Sequence, residues 1–565
     1  MKSRRPSIFS RCIAGACVVA LAATAISATR SNKAEIARNL DIFNAVYKEL
    51  QTNYVDSIDS EKAVTTAIDA MLSTLDPYTT YYPASDQDQL TQMTSGEYGG
   101  IGALIQEVPG KGVIISEPYE NTPSAKAGLK AGDLLMVIDN DTVLGWKSTK
   151  VTEKLKGEPG THLKVTVKRP YVEDSILTFD ITRNKIQLPA VPYYGVVKDR
   201  IGYIYLNQFT DKAAADVRNA LIELKKDPRV EAIALDLRGN VGGLLEAAVQ
   251  IVGYFVPKNT EVLRTRGKGI LNEKVYKTTN KPIDTEIPLF VLIDGSSASS
   301  SEITAGALQD LDRAVLIGNR SFGKGLVQST RPLPFDGVLK VTVAKYYIPS
   351  GRLIQAIDYS HRNPDGSVAR IPDSLTNVFT TANGREVRDG GGITPDVEVK
   401  YGEVNRLTYN IVSDNWAFDY ATKFAAENPQ IAPAEEFVVT DSMFADFKRF
   451  IDPSKFNYDK VCEQMVSNLR KAAEAEGYMN DSVKVQLDLL EGLLKHDLNH
   501  DLDNNRKDID GLIASEIMKR YYFEKGQVIQ TLKDDPGIDS TIVVLDQPGR
   551  YKSILSPVKN DNKKK

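Results

Sequence analysis

The sequence predicts a multidomain α/β protein, and three observations lead there. Its 565 residues exceed what one hydrophobic core usually organises. Between about Ser175 and Lys400, apolar strand-like runs alternate with helical patterns, as in a largely parallel sheet flanked by helices. Before that region comes a glycine-punctuated, strand-rich stretch, and both ends of the chain carry helical periodicity. Apolar residues make up 42% and charged residues 25%, which excludes a disordered or fibrous chain. A net charge of −4 without a long basic stripe argues against a nucleic-acid partner.

Residues 1–30 read as an export signal. Lys2, Arg4, Arg5 and Arg11 precede an uncharged run from Cys12 to Thr29, and Ala23-Thr24-Ala25 offers a small-x-small cleavage site. Left uncut, the run is of borderline length for a membrane anchor. Cys12 and Cys17 fall inside it, so Cys462 is the single cysteine of the mature chain and no internal disulfide is expected. The expected location is extracytoplasmic, in the periplasm or tethered to the membrane. No pair of the four histidines stands at zinc-binding spacing inside an obvious site, and no metal is expected.

Residues 33–86 show helical spacing at Ile36, Leu40, Phe43, Val46 and Leu50, resumed by Ala63, Ile68 and Leu72 after the Asp56–Ser60 turn. The segment suits a cap or a dimerisation element, so a homo-oligomer is compatible with it. Residues 87–172 form a small module. Gly96, Gly99, Gly100 and Gly102 lead into strands at Gly112–Ile115, Leu134–Ile138 and Leu163–Lys168, with a short glycine-stopped helix at Ser124–Leu129. Residues 173–404 carry the alternating region. Its strands are expected at Ile201–Leu206, Ala232–Leu237, Leu289–Ile293 and Ala314–Ile317, and its helices at Ala213–Lys225, Leu244–Tyr254 and Glu302–Asp310. Residues 405–565 are expected to be mainly helical, with amphipathic stretches at Asp481–His496 and Ile509–Phe523 and one strand at Ser540–Leu545. The acidic run through Asp497, Asn499, Asp501, Asp503 and Asp508 departs from a calcium loop at Leu502 and reads as a polar helix end.

Three turns could carry chemistry. Ser296 to Glu302 joins a strand to a helix. Ser299 and Glu302 there fit a plain capping box, yet a helix start also offers N–H groups to an oxyanion. A serine nucleophile needs a base, and no histidine lies near this turn or at a core strand end; His361 sits in a polar loop. A lysine can serve once its pKa falls by several units from ~10.4. Lys324 follows an apolar strand between two glycines. Gly318 to Lys324 also fits most of a phosphate-binding loop, but Gly325 replaces the Ser/Thr that would hold magnesium, and Leu326–Arg331 reads as extended. The third turn, Asp236 to Leu244, carries Gly242 and Gly243, whose N–H groups could line an oxyanion hole or simply make a tight turn.

Together these turns resemble the carboxyl-terminal processing peptidases, or tail-specific proteases. The matching residues are Leu235-Asp236-Leu237-Arg238-Gly239-Asn240 with Gly242-Gly243, Ser297-Ala298-Ser299 with Ser301-Glu302, Gly306 to Asp310, Phe322-Gly323-Lys324-Gly325 with Gln328, and Tyr346 to Arg352. The likeness runs from about Leu40 to Val399; Ser300 departs from it where alanine is common. It implies a ClpP/crotonase-like α/β protease core, Ser299 as nucleophile, Lys324 as general base, and Gln328 orienting the lysine. Oxyanion donors would come from the backbone of Gly242, Gly243 and Ser300, and no cofactor is implied. The glycine-rich module resembles a PDZ domain, with Tyr98-Gly99-Gly100-Ile101-Gly102 as the loop that receives a peptide's terminal carboxylate. The implied activity is endoproteolysis of exported proteins recognised by a free C-terminus. The competing readings are an inert PDZ scaffold and a nucleotide hydrolase. Residues 405–565 lie outside the family's common core.

Overall fold

The computed structural model describes residues 33–269, 272–363, 366–402, 405–456 and 460–557. The export-signal reading therefore lies outside the described residues. The chain divides into two compact units, 1–81 and 82–565. In the first, a helix over residues 33–53 carries an exposed stripe of Ile36, Leu40, Phe43 and Val46, and a second helix, Ser60–Ser73, is capped by the Asp59 side chain. Among the described residues no helix is long and apolar enough to cross a membrane.

In the second unit, the glycine-rich module is a sheet ordered Ala103–Val108, Gly112–Pro118, Leu134–Ile138, His162–Lys168, Ile176–Thr182. The helices Pro123–Ala127 and Ser148–Leu155 close its core around Ile115, Leu135, Ile138, Val151 and Val165. Ile176–Thr182 pairs residue for residue with His162–Lys168, so by pairing this strand belongs to the module and not to the region expected to begin at residue 173. Ala103–Val108 is an edge strand, bonded in its sheet to Gly112–Pro118.

The central sheet runs Tyr193–Val197, Ile201–Tyr205, Ala232–Asp236, Leu289–Ile293, Val315–Gly318, Val397–Glu398. Its first pair is antiparallel and the rest are parallel. Leu289–Ile293 is fully buried along its length, which its unbroken apolar sequence requires of a central parallel strand. One face packs on the helices Ala213–Leu224, Leu245–Val252 and Ser300–Asp310. The other face, with Tyr203, Ala234, Phe290, Leu292 and Ile317, packs on Leu532, Ile538, Val544 and Leu555. The C-terminal extension thus supplies the second layer of the core.

That layer corrects one expectation. Ser540–Leu545 is not a strand but part of the helix Pro536–Asp546. The β-branched run Thr541-Ile542-Val543-Val544 reads as extended, but Asp535 caps the helix and Pro536 opens it, and burial of Ile538, Thr541 and Val544 at helical spacing overrides local propensity. The other regular elements described in the extension are helices. Asp497 is the N-cap of Leu498–Asn504, and Asp503 pairs with Lys448, so the acidic run is a capped helix. The long helix Arg506–Thr531 breaks at Phe523 (φ 54°, ψ −157°). It contacts the module strand Gly112–Pro118, and Phe418 of the helix Trp416–Glu427 packs with Val108 and Ile114. A Lys111–Asp419 ion pair of 2.6 Å lies at the same junction.

Candidate active site

The three turns follow three adjacent parallel strands. Ala232–Asp236 leads into residues 237–243, Leu289–Ile293 into 294–299, and Val315–Gly318 into 319–325. Neighbouring parallel strands end together, so segments far apart in sequence converge beyond their carboxyl ends, where α/β sheets bind ligands.

Ser299 is the first residue before the helix Ser300–Asp310 and sits at φ 57°, ψ −115°. An ordinary N-cap is extended, so capping alone does not account for this strained conformation. Ser299 is half-buried, as are Lys324 and Gln328.

Glu302 holds the turn. Its carboxylate is fully buried and accepts Ser299 N–H at 3.0 Å, Lys324 N–H at 2.9 Å, Gly323 N–H at 2.6 Å and Ser321 Oγ at 2.5 Å. One side chain therefore ties the backbone of residue 299 to that of residue 324. Burial pushes the Glu302 pKa up from the ordinary carboxylate range, and the four donors push against that rise. The capping-box pattern showed Glu302 as a local partner; its second role reaches 22 residues along the chain and leaves no local signal.

The 237–243 turn is stitched to the serine turn. Asn240 O accepts Ala298 N–H at 3.1 Å and Ser301 Oγ at 2.8 Å, and Ser300 Oγ donates to Gly243 O at 2.9 Å. Asp294 accepts Gly239 N–H and Ser297 N–H. The expectation for Gly242 needs correcting. Its N–H already donates to Asn240 Oδ1 at 2.8 Å, which removes it as an oxyanion donor. The N–H groups of Gly243 and Ser300 have no acceptor among the described residues. Gly242 serves instead by its lack of a side chain, pressed against Ser299 and Ser300. Gln328 Nε2 donates to Thr342 Oγ1 at 3.1 Å across the hairpin.

The alternative readings gain no support at this site. Leu326–Pro332 is a strand, so Lys324 opens no helix and the phosphate-loop pattern lacks its second half. His361 is exposed and pairs with Asp358 at 2.6 Å.

In the module, Tyr98, Gly99 and Gly100 belong to a strand, Glu97–Gly100, paired with Asn184–Gln187. Tyr98, Ile101 and Gly102 line a cavity of about 230 Å³ with Leu104, Tyr119 and Lys156. Lys156 Nζ lies 5.3 Å from the Tyr98 ring and 3.3 Å from Gln92 Oε1. It supplies the cation at this cavity that sequence alone did not single out.

Comparison with known proteins gives a consistent picture. The pattern described as peptidase family S41 matches residues 200–361, that of the PDZ domain 89–168, and that of a probable PDZ-protease C-terminal helical domain 407–545. The activating protease CtpB N-terminal domain matches residues 16–86. A carboxy-terminal-processing protease of Bartonella bacilliformis is 36% identical over 366 residues, covering 64% of this chain and 82% of that protein. The carboxy-terminal processing protease CtpB of Bacillus subtilis is 32% identical over 334 residues, covering 58% and 68%. Among solved structures, the photosystem II D1 C-terminal processing protease is 26% identical, covering 63% of this chain and 86% of that one, with a TM-score of 0.35.

Proposed function

The chain belongs to the carboxy-terminal-processing proteases of peptidase family S41, serine peptidases that here carry a PDZ domain, and from that premise we propose that Ser299 and Lys324 form its catalytic pair. The supporting observation is the Glu302 carboxylate, which binds the N–H of both residues and so fixes their mutual position.

Neutral Lys324 Nζ takes the Ser299 hydroxyl proton, and the Oγ electron pair attacks the substrate's peptide carbonyl. The resulting oxyanion lies in front of the Gly243 and Ser300 N–H groups. Lys324 passes its proton to the departing amine, leaving an acyl ester on Ser299. Water then gives a proton to Lys324 and attacks the ester, and collapse returns the proton to Ser299 Oγ and releases the acid. Gln328 Oε1 would accept a hydrogen bond from the lysine and aim it. The edge strand Ala103–Val108 would pair with the tail of an exported protein, with the terminal carboxylate near Ile101, Gly102 and Lys156.

The test uses an unfolded substrate with a free apolar C-terminus and the same substrate amidated. Wild type should cleave the free form with the lower KM, and Ser299→Ala should cleave neither. Equal cleavage by both proteins would sink the assignment of the nucleophile. Cleavage by neither would favour a peptide-binding scaffold.

A further inference from the structure

We infer that Asp535, in the C-terminal extension, is a positioning residue for the peptidase reaction, acting through Arg238 on the turn that carries Gly243; this rests on the catalytic reading above.

Arg238 opens that turn. Its guanidinium meets Asp236 through Nε at 2.9 Å, Asp535 Oδ2 through Nη2 at 2.7 Å, and Asp535 Oδ1 and the Tyr401 hydroxyl through Nη1 at 3.0 and 3.3 Å. Asp236 also accepts Arg238 N–H at 2.9 Å and the Tyr203 hydroxyl at 2.7 Å. Asp535 is itself fixed. Its Oδ1 accepts Gly537 N–H at 2.7 Å and Ile538 N–H at 3.1 Å, and the helix it caps packs Ile538 and Val544 on the sheet. A bidentate pair restrains a guanidinium in orientation as well as position.

Stability alone is a poor reason for this arrangement. Asp236 already neutralises Arg238, and the second buried carboxylate leaves the triad with a net negative charge at a cost in desolvation; apolar residues of similar volume often do as well. Registry is the better-attested use of such groups. Here the registered object is the turn. Beyond Arg238, Gly239 is held by Asp294, and Asn240 and Gly243 by the serine segment, so Arg238 is the near anchor of one short turn whose far end presents the Gly243 N–H.

Kinetics on the full-length chain decide the matter, with wild type and Ser299→Ala compared first on the free-tailed substrate. Asp535→Asn should lower kcat about ten- to hundredfold, the effect of a displacement near 1 Å, with KM within twofold. Asp535→Glu should recover part of the loss. Gly537→Ala provides a variant that keeps every charge. Its added carbon would lie 3.0 Å from Asp535 Oδ1 and 3.3 Å from both Arg238 Nη1 and the Tyr401 hydroxyl, while alanine suits the helix better than glycine. It should fold and lose kcat severalfold, and it decides the case if Asp535→Asn does not fold. A kcat within twofold of wild type in the folded variants overturns the inference, even if thermal stability falls. A wild type no more active than Ser299→Ala overturns the catalytic reading, and the inference with it.

Discussion

Gly242 lies so close to Ser299 that a carbon added to the glycine would fall 2.7 Å from Ser299 Cβ. The same carbon would stand 2.8 Å from Ala298 O and 2.9 Å from Ser300 N, at a backbone φ of 103° that L-residues avoid. Gly242→Ala should therefore cost about 2–4 kcal/mol of stability, from strain and overpacking together. It should also lower kcat/KM by at least about a hundredfold, since the displaced atoms are the turn that carries the proposed nucleophile. Peptide cleavage and chemical denaturation on one preparation check both numbers; an active Gly242→Ala enzyme would refute the close approach.

Ser299 stands in a conformation that glycine tolerates and serine does not. Ser299→Gly should abolish cleavage yet raise the stability by about 0.5–1 kcal/mol, after the glycine's extra unfolded-state entropy is subtracted. Ser299→Ala keeps the strained backbone and should melt with wild type. A glycine variant that melts below both would show that the turn is unstrained.

Glu302→Gln removes little volume but turns one oxygen into a donor facing donors. With Ser299, Gly323, Lys324 and Ser321 all pointing at this group, at least one must lose its partner. The expected loss is about 2–4 kcal/mol, with activity falling further than stability, because the two ends of the proposed catalytic pair are released together. Urea denaturation alongside cleavage at a permissive temperature separates the two effects.

Glu117 faces Glu516 and Glu524, which raise its pKa, and Lys519 and Arg520, which lower it; burial at the junction of the PDZ domain and the long helix pushes it up to about 6. The folded state thus holds this proton more tightly than the unfolded state does. Stability should fall as the pH rises from about 4.5 to about 6 and then level off, by of order 1 kcal/mol for a group that keeps some solvent. Glu117→Gln should melt higher than wild type at pH 7 and show a shallower slope. A slope persists because Glu524 is shifted in the same direction. Melting curves at pH 5 and pH 7 for both proteins supply the comparison, and parallel slopes would place the dependence elsewhere.

Local pattern carried the core strands well. Leu289–Ile293 was legible to the residue, because five apolar residues between polar turns have one sensible fate in a parallel sheet. The Ser299 turn was legible for the same reason, as a strand end followed by a helix start. At Ser540–Leu545 the β-branched residues suggest a strand, but the cap at Asp535 and the proline after it decide for the helix. The long-range hydrogen bonds were not legible at all. That Asn240 takes the N–H of Gly242, that Glu302 reaches Lys324, and that Asp535 meets Arg238 across 297 residues depends on how distant segments pack. Sequence spacing holds no record of such contacts.

The backbone of residue 299 is held by groups outside its own side chain: the Glu302 carboxylate accepts its N–H, its C=O accepts the Tyr346 hydroxyl and the Ile303 N–H, and Gly242 packs against its Cβ. Place and reagent are therefore separable. On the proposed assignment, a sulfur atom carried there by cysteine would meet the same Gly243 and Ser300 donors as the serine oxygen, and a serine-reactive boronate would find them facing its charge. The architecture would then specify where the nucleophile stands and leave the choice of element to a single codon.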